Sequence, residues 1–248
     1  MSKVINDLLG YDMKIVQDTK WFNFSLDSVL LSHFVSIKKN VKNIIDLGTG
    51  NAAIPLFLSA RTNASIVGVE IQADCCELAN ESIMINNLKD QITVINDDIN
   101  NLKNYFSDGY FDVVISNPPY FKIDTSNKKN IDEHKLLARH EVSIKLEELI
   151  KISSFLLKNK GVFAMVHRTE RIVEILSLLE ESKLFVKKIK FIYSKNNTNS
   201  NMVLIECIKN GNSGLKVLPP TIIHNEDGSY KEDILDLFNG GSYESEKF

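Results

Sequence analysis

The sequence predicts an α/β fold: a mostly parallel seven-stranded sheet with one antiparallel strand and with helices on both faces. Short apolar, β-branched runs alternate with helical patterns along the chain, which is typical of strand-helix-strand units. The runs that predict strands are residues 41–47, 65–70, 91–96, 111–116, 161–167, 186–194 and 202–209. A polar turn without a helix joins the last two runs, and because a hairpin needs antiparallel strands, one strand is expected to reverse direction.

Helical patterns fill most of the intervals between these strands. The predicted helices cover residues 29–35, 52–60, 72–86, 145–157 and 169–182. The chain is therefore divided into an N-terminal accessory segment (1–40), a core domain (41–210) and a C-terminal extension (211–248). The extension is expected to have little core of its own, because proline and glycine pairs interrupt it.

Composition and charge are those of an ordinary globular protein. Of the 248 residues, 44% are hydrophobic and 25% are charged, which suits one domain with additions. The net charge of −3 gives no global attraction for nucleic acid, so such a partner requires a local basic face. The oligomeric state is left open, with a monomer favoured.

Cysteine usage and hydropathy indicate a reducing, cytoplasmic location. Cys75, Cys76 and Cys207 lack metal-ligand spacing and are odd in number, so neither a metal nor a disulfide framework is expected. No apolar run reaches the ~18 residues expected of a membrane span. Residues 1–10 lack the cationic and apolar regions of a signal peptide.

The first predicted core strand ends in a glycine turn, residues 46–51, with the sequence DLGTGN. Glycines between a strand and a helix permit a tight turn and close approach of a nucleotide-like ligand. The turn lacks the third glycine of the dinucleotide fingerprint, since position 53 is Ala53, and it has no phosphate-binding lysine. A cofactor without phosphates fits better, and Asp46 is placed to meet a cationic group on it.

Acidic residues lie at the ends of the next two predicted strands. Glu70 follows Gly50 by about 20 residues, the distance at which an acid accepts hydrogen bonds from ribose hydroxyls. Asp97 and Asp98 end the third strand, where a carboxylate can accept from an adenine amine while the Ile99 amide reaches a ring nitrogen. For either carboxylate alone, capping a helix at residues 99–104 is an equally good interpretation.

The fourth strand runs into a proline corner, residues 117–120, with the sequence NPPY. Pro118 keeps Asn117 extended, and both prolines fix φ and remove backbone donors. The Asn117 side-chain oxygen and the Pro118 carbonyl can hold the hydrogens of a planar amino group, so that its nitrogen pyramidalises and becomes nucleophilic. Tyr120 can stack on the ring that carries the amine. The alternative is a proline-terminated strand with a packing tyrosine.

A long polar stretch, residues 121–141, follows the proline corner. Loops of this length are usually functional or disordered. Its formal cations are Lys122, Lys128, Lys129, Lys135 and Arg139. The stretch is the best candidate for a face that contacts phosphates, and the alternative is a mobile solvated loop. We expect it to be mobile in the free protein.

Taken together, the four strand ends resemble those of S-adenosylmethionine-dependent methyltransferases with a Rossmann-like fold. The proline corner resembles the signature of members that methylate planar amino nitrogens. Residues 22–31 (FNFSLDSVLL), residues 138–141 (ARHE) and the C-terminal extension look like those of bacterial tRNA adenine-N6 methyltransferases. Those enzymes act on adenine 37, beside the anticodon of a valine tRNA.

The resemblance implies S-adenosylmethionine as cofactor, a tRNA anticodon loop as partner, and residue roles at four strand ends and in one N-terminal segment. The implied cofactor contacts are Phe24, Asp27, Asp46, Gly48, Thr49, Gly50, Glu70, Ile71, Asp98, Ile99 and Asn117. The implied catalytic residues are Asn117, Pro118, Pro119 and Tyr120. The implied substrate contacts are Tyr120, Phe121, Lys122, Lys128, Lys129 and Arg139.

Other functions share parts of this pattern. Glutamine-N5 methyltransferases of release factors carry the same proline corner, but are expected to have a larger helical N-terminal domain than the segment before Asp46. A DNA adenine methyltransferase is expected to need a separate target-recognition domain, and a guanine-N2 rRNA enzyme would more often have Phe at position 120. A non-catalytic nucleotide- or RNA-binding module is disfavoured by the intact proline corner.

Overall fold

The computed structural model describes residues 3–8, 10–18, 26–119 and 145–241. An antiparallel hairpin comes first, formed by β1 (Lys3–Leu8) and β2 (Met13–Asp18). The main sheet has seven long strands: β3 (Asn43–Leu47), β4 (Ser65–Glu70), β5 (Ile92–Asn96), β6 (Phe111–Ser116), β7 (Leu157–Arg168), β8 (Leu184–Tyr193) and β9 (Ser200–Lys209). Two short strands follow: β10 (Lys216–Val217) and β11 (Thr221–Ile222).

Within the described residues the main sheet therefore has nine strands rather than the predicted seven. Both additional strands pair with β8 and have two residues each, too few to show a sequence pattern. The strand order is β10-β8-β9-β7-β6-β3-β4-β5, with β11 also on β8. Strand β9 is antiparallel to β7 and β8, whereas the other described pairs of this sheet are parallel, so the predicted single reversal is confirmed.

Helices cover both faces of the sheet. They are α1 (Leu26–Phe34), α2 (Ala53–Ser59), α3 (Ala73–Ile85), α4 (Leu146–Leu156), α5 (Ile172–Glu181) and α6 (Glu232–Phe238), with short 3-10 helices at Ile99–Asn104 and Thr169–Arg171. Ile44 of β3 packs into a core with α1, α2, α3 and α6, whereas the adjacent Ile45 packs into a second core with α4 and α5. This alternation follows from the two-residue period of a strand, and it makes the sheet the divider between two cores.

The strand order places a switch point between β3 and β6. From β3 the chain moves outward through β4 to β5, and it then returns to the other side of β3 with β6. In open α/β sheets, ligands bind beyond the carboxyl ends of the strands at such a point. The topology therefore predicts that a ligand binds at the residues that follow β3 and β6.

The N-terminal hairpin is docked on α3. The backbone N–H of Val16 donates to Ser82 Oγ at 2.9 Å, and the Asn86 side chain exchanges two hydrogen bonds with the Lys14 backbone. The hairpin was not predicted, because Val4 and Ile5 of β1 are exposed and give no core pattern. Contacts distant in sequence thus determine its position.

The C-terminal helix α6 packs against α1, and it buries Ile234 and Leu237 completely or nearly so. These two residues join the core around α1, so α6 is held by the main domain and forms no separate core among the described residues. The Tyr11 hydroxyl lies 2.6 Å from Nε2 of His33 in α1, and it donates to the Leu237 carbonyl at 3.3 Å. Burial lowers the pKa of His33 to about 4, so this ring is neutral near pH 7. The hairpin loop, α1 and α6 are thereby joined.

Candidate active site

The carboxyl ends of β3, β4, β5 and β6 meet at one edge of the sheet. Leu47 pairs with Val69 on one side and with Ser116 on the other, and Glu70 pairs with Asn96. The glycine turn and the proline corner therefore begin side by side. Ser116 reinforces this junction, because its hydroxyl donates to the Leu47 carbonyl at 2.8 Å.

The glycines of the turn face open space. Gly48 and Gly50 have positive φ, at 76° and 57°, where a side chain would be strained. A Cβ at either position would meet nothing within 4 Å, so both glycines face open space. The backbone N–H groups of Gly48 and Thr49 both donate to the Val69 carbonyl at 2.9 Å, which holds the turn on β4. A ligand can approach this backbone closely.

Asp46 lies beneath the turn and is fully buried. Thr49 donates its hydroxyl to Oδ2 of Asp46 at 2.7 Å, whereas Oδ1 has no hydrogen-bond partner. Burial raises the pKa of Asp46 to about 7, and the nearby charge of Glu70 adds to the rise while the Thr49 hydrogen bond opposes it. A cationic group beside Oδ1 would satisfy the carboxylate and favour its ionised form.

Glu70 connects the turn to the end of β4. Its Oε2 accepts from the backbone N–H of Gly50 and its Oε1 from that of Gln72, both at 3.0 Å. Burial raises the pKa of this carboxyl, while the backbone hydrogen bonds oppose the shift. Each carboxylate oxygen retains a further lone pair, so the group can also accept from two ribose hydroxyls.

The residues after β4 and β5 are one exposed apolar side chain and two acids. Ile71 is 42% exposed, an apolar side chain available for packing. Asp97 accepts from the Asp98 backbone, Asn101 and Tyr105, whose contacts lower the pKa of its carboxyl. Asp97 is thus engaged in local structure, and this favours Asp98 as the ligand-facing acid.

Asp98 also fits the capping interpretation. Its Oδ1 accepts from the Asn100 backbone at 2.8 Å, at the start of the 3-10 helix. The Ile99 side chain is buried, so only its backbone can face a ligand. Capping and ligand binding are compatible, because the cap occupies a single oxygen of the carboxylate.

Asn117 is half-buried beside the glycine turn, with Pro118 buried and Pro119 exposed. Its Nδ2 donates to the Ser28 hydroxyl of α1 at 3.2 Å. Because an amide is planar, this contact directs Oδ1 away from Ser28. Asp27, adjacent to Ser28 in the first turn of α1, is also half-buried. Ser28 was not predicted as a site residue, since its sequence context indicated only the start of a helix.

Gly68 is a second residue that the sequence did not single out. A Cβ on Gly68 would lie 2.8 Å from Cγ2 and 3.0 Å from Oγ1 of Thr49. Because Gly68 has no side chain, β4 leaves room at this position for Thr49. The Thr49 hydroxyl in turn donates its hydrogen bond to Asp46. A glycine inside a strand is a known signal of close approach by another segment, and this signal was available in the sequence.

Replacing Gly68 with alanine is expected to weaken cofactor binding by about tenfold, because the new methyl displaces Thr49 and loosens the turn. Calorimetric titration with S-adenosylhomocysteine, the demethylated form of the cofactor that the sequence resemblance implies, measures the effect. Gly211→Ala is the matched control: its Cβ would lie 3.1 Å from the Ile208 carbonyl, a tight contact outside the glycine turn. Equal affinity in the Gly68 variant and the wild type would contradict this role.

Several predicted site residues lie outside the described residues. They are Phe24, Tyr120, Phe121, Lys122, Lys128, Lys129 and Arg139. Within the described ranges, no three histidine, cysteine or acidic side chains are grouped so as to hold a metal ion. No helix in the same part of the chain is long and apolar enough to cross a membrane.

The sheet order, the glycine turn at the switch point and the proline corner beside it define a Rossmann-like methyltransferase. Residues 26–197 match the family model described as "Methyltransferase small domain". The chain belongs to this family, and within it to the relatives described as tRNA1(Val) (adenine(37)-N6)-methyltransferases. One of these, from Bacteroides thetaiotaomicron, is 30% identical over 210 residues, covering 83% of this chain and 86% of the relative. Relatives from Phocaeicola vulgatus and Bacteroides fragilis have the same description.

Solved structures confirm the fold. A predicted O-methyltransferase, Atu636 from Agrobacterium tumefaciens, superposes with a TM-score of 0.69 at 21% identity, covering 88% of this chain and 98% of that one. A geranyl diphosphate methyltransferase in complex with SAM superposes with a TM-score of 0.52 at 11% identity, covering 73% and 84%. The family and the open glycine turn agree with S-adenosylmethionine as the cofactor.

Proposed function

We propose that the protein transfers a methyl group from S-adenosylmethionine to the exocyclic N6 of adenine 37 in a valine tRNA. The observation that carries this proposal is the pairing of Leu47 with Ser116, which starts the glycine turn and the proline corner side by side. The names of the relatives supply the substrate. Such a substrate is consistent with an enzyme of the cytoplasm.

The glycine turn and the neighbouring strand ends fit the cofactor. Asp46, with its unpartnered buried oxygen, suits the ammonium of the methionine part, and Gly48, Thr49 and Gly50 leave room for the chain that bears it. Glu70 suits the ribose hydroxyls. When bound, S-adenosylmethionine supplies an activated methyl group on a cationic sulfonium. Phe24, which lies outside the described residues, and Asp27 are proposed to close the methionine side.

The opposite end of the cofactor is assigned to residues at the ends of β4 and β5. Ile71 offers an exposed apolar side chain to the adenine. Asp98 and the Ile99 backbone amide are proposed to recognise the hydrogen-bonding edge of this base. Their separation from Asp46 across β4 matches an elongated ligand that lies along the edge of the sheet.

The proline corner is assigned to the target amine. The Asn117 Oδ1 and the Pro118 carbonyl accept its two hydrogens, which lets the nitrogen lone pair point at the methyl group. Pro119 keeps this geometry rigid. Much of the rate would then come from proximity and orientation. The neutral amine would attack the methyl carbon while the carbon–sulfur bond breaks and S-adenosylhomocysteine leaves, and the acidic methylated amine would then lose its proton to solvent without a strong base. Ser28 positions the Asn117 amide through its hydrogen bond.

Recognition of the RNA is assigned to segments outside the described residues. Tyr120 or Phe121 is proposed to stack on the target base, which an anticodon loop can turn outward at less cost than a duplex can. Lys122, Lys128, Lys129 and Arg139 are proposed to contact phosphates. Because the whole chain has a net charge of −3, such a local cluster is needed for binding RNA.

Transfer of a tritiated methyl group to total tRNA, total rRNA and release factor tests the reaction class. Label in tRNA alone is expected, and label in release factor would instead indicate glutamine-N5 methylation. Two valine tRNA transcripts, one with adenine and one with guanine at position 37, then test the site. Equal labelling of both transcripts would overturn the assignment of adenine 37.

A further inference from the structure

Two buried side-chain atoms among the described residues lack a hydrogen-bond partner: Oδ1 of Asp46 and Nε2 of Gln17. Gln17 is only 6% exposed. A buried polar atom without a partner costs about 1–3 kcal/mol, so each such atom in a native protein calls for a reason. Asp46 Oδ1 is an acceptor and Gln17 Nε2 is a donor. A ligand that carries both a donor and an acceptor would satisfy the two atoms.

Gln17 lies close to the glycine turn. Asn51, the last residue of the turn, donates its Nδ2 to the carbonyl of Val16 at 3.2 Å. Gln17 follows Val16 in β2, so its backbone N–H belongs to the same peptide group as the carbonyl that Asn51 contacts. The glycine turn and the hairpin are thereby joined where the cofactor's methionine part is expected.

Gln17 and Asp46 lie on the same side of the main sheet. Side chains alternate along a strand, so Gln17 shares a face of β2 with Ile15, and Asp46 shares a face of β3 with Ile44. Ile15 and Ile44 belong to the same core. The two unpartnered atoms therefore belong to side chains on one side of the main sheet, and Asn51 of the glycine turn contacts the strand that carries Gln17.

The orientation of the Gln17 amide is determined by β1. Its Oε1 accepts from Nδ2 of Asn6 at 2.7 Å. With the oxygen held in this way, the amide directs Nε2 elsewhere as a donor. Gln17 is therefore a neutral hydrogen-bond donor whose orientation is fixed before a ligand binds.

We propose that Gln17 Nε2 donates a hydrogen bond to the carboxylate of the cofactor's methionine part, while Asp46 Oδ1 accepts from its ammonium. The pair then recognises the zwitterionic amino acid rather than the nucleoside. This inference rests on the proposed function for the identity of the cofactor. It adds the N-terminal hairpin to the cofactor site and makes Gln17 a determinant of ligand choice.

Two ligands separate the contributions of the amino acid and the nucleoside. S-adenosylhomocysteine carries the amino acid, whereas 5′-methylthioadenosine lacks it. Calorimetric titration of Gln17→Met, which removes the donor at similar volume, is expected to show at least about tenfold weaker binding of the first ligand. Binding of 5′-methylthioadenosine is expected to stay within about twofold of the wild type.

A second variant covers the case in which Gln17→Met does not fold. Gln17→Glu keeps an oxygen for Asn6 and places a negative charge towards the ligand carboxylate, so a larger loss is expected, again for S-adenosylhomocysteine only. Lys14→Ala, an exposed position on the same strand, is the control for disturbance of the hairpin. Thermal unfolding of each free protein verifies that it is folded.

The outcomes are distinct. Equal losses for both ligands would make Gln17 a structural residue, and unchanged binding of both would place it outside the site; either result overturns the proposal. If the wild type binds S-adenosylhomocysteine with Gln17-dependent affinity but does not methylate tRNA, the proposed substrate fails and the role of Gln17 stands.

Discussion

Replacing Asn117 with alanine is expected to reduce methyl transfer to tRNA by more than about tenfold while leaving cofactor affinity nearly unchanged. The side chain is half-buried next to the glycine turn, and its Nδ2 is held by Ser28. Removing it takes away an acceptor for the target amine but no proposed contact with the charged part of the cofactor. Single-turnover transfer from tritiated S-adenosylmethionine and calorimetry with S-adenosylhomocysteine measure the two quantities separately.

Asn159→Ala provides the control for this experiment, because Asn159 is exposed and its Oδ1 accepts a hydrogen bond from Nδ2 of Asn210. It is expected to retain full turnover. Comparable turnover in Asn117→Ala and the wild type would remove Asn117 from the mechanism. A parallel loss of cofactor affinity would instead show that the substitution disturbs the glycine turn.

Asp46→Asn is expected to act with opposite signs on free-protein stability and on cofactor binding. In the folded protein, burial raises the pKa of Asp46 from 3.8 to about 7, so the native state keeps a proton that the unfolded chain releases. Stability from this group is therefore present below pH 3.8 and is lost as pH rises to about 7. Asparagine does not titrate, so the variant should exceed the wild type in stability above pH 7 by up to a few kcal/mol.

Cofactor binding should change in the other direction. An amide cannot offer a negative charge to the ammonium, so affinity for S-adenosylhomocysteine is expected to fall by at least about tenfold at pH 8. In the wild type, affinity should rise as Asp46 ionises between pH 5 and about 7, whereas the variant should lack this rise.

Thermal unfolding from pH 5 to 8 and calorimetry at the same pH values measure both effects. Asp90→Asn, at an exposed position, is the control and should change neither. A variant that binds the cofactor as well as the wild type would show that the buried carboxylate has no part in binding. A variant that is less stable than the wild type at pH 8 would contradict the raised pKa of Asp46.

The main sheet was predictable because its strands are locally distinct. Strands β4 and β6 were predicted residue for residue, since each is a β-branched apolar run between turn-forming residues. The hairpin and α6 were not, because their burial depends on partners far away in the chain: Val16 on Ser82, and Ile234 on the core around α1. Periodicity within a short window does not report such contacts.

The same distinction applies to the candidate site. Asp46, Glu70 and Asn117 were predictable because they directly follow or end apolar runs, where parallel strands collect their ligands. Ser28 and Gln17 depend on approaches between distant segments, and Ser28 is 89 residues from Asn117. Gly68 carried a readable signal, an isolated glycine in a strand, but its partner Thr49 becomes visible only when β3 and β4 are paired.

The hydroxyl of Tyr11 has a consequence for synthesis of the protein. It contacts His33 of α1 and the carbonyl of Leu237, a residue 226 positions later. While α6 is still inside the ribosome, a nascent chain lacks the contacts that α6 makes with α1. Helix α1 carries Ser28, the hydrogen-bond partner of Asn117. We expect the sheet to assemble during translation, and the candidate active site to reach its final form only after α6 has emerged from the ribosome.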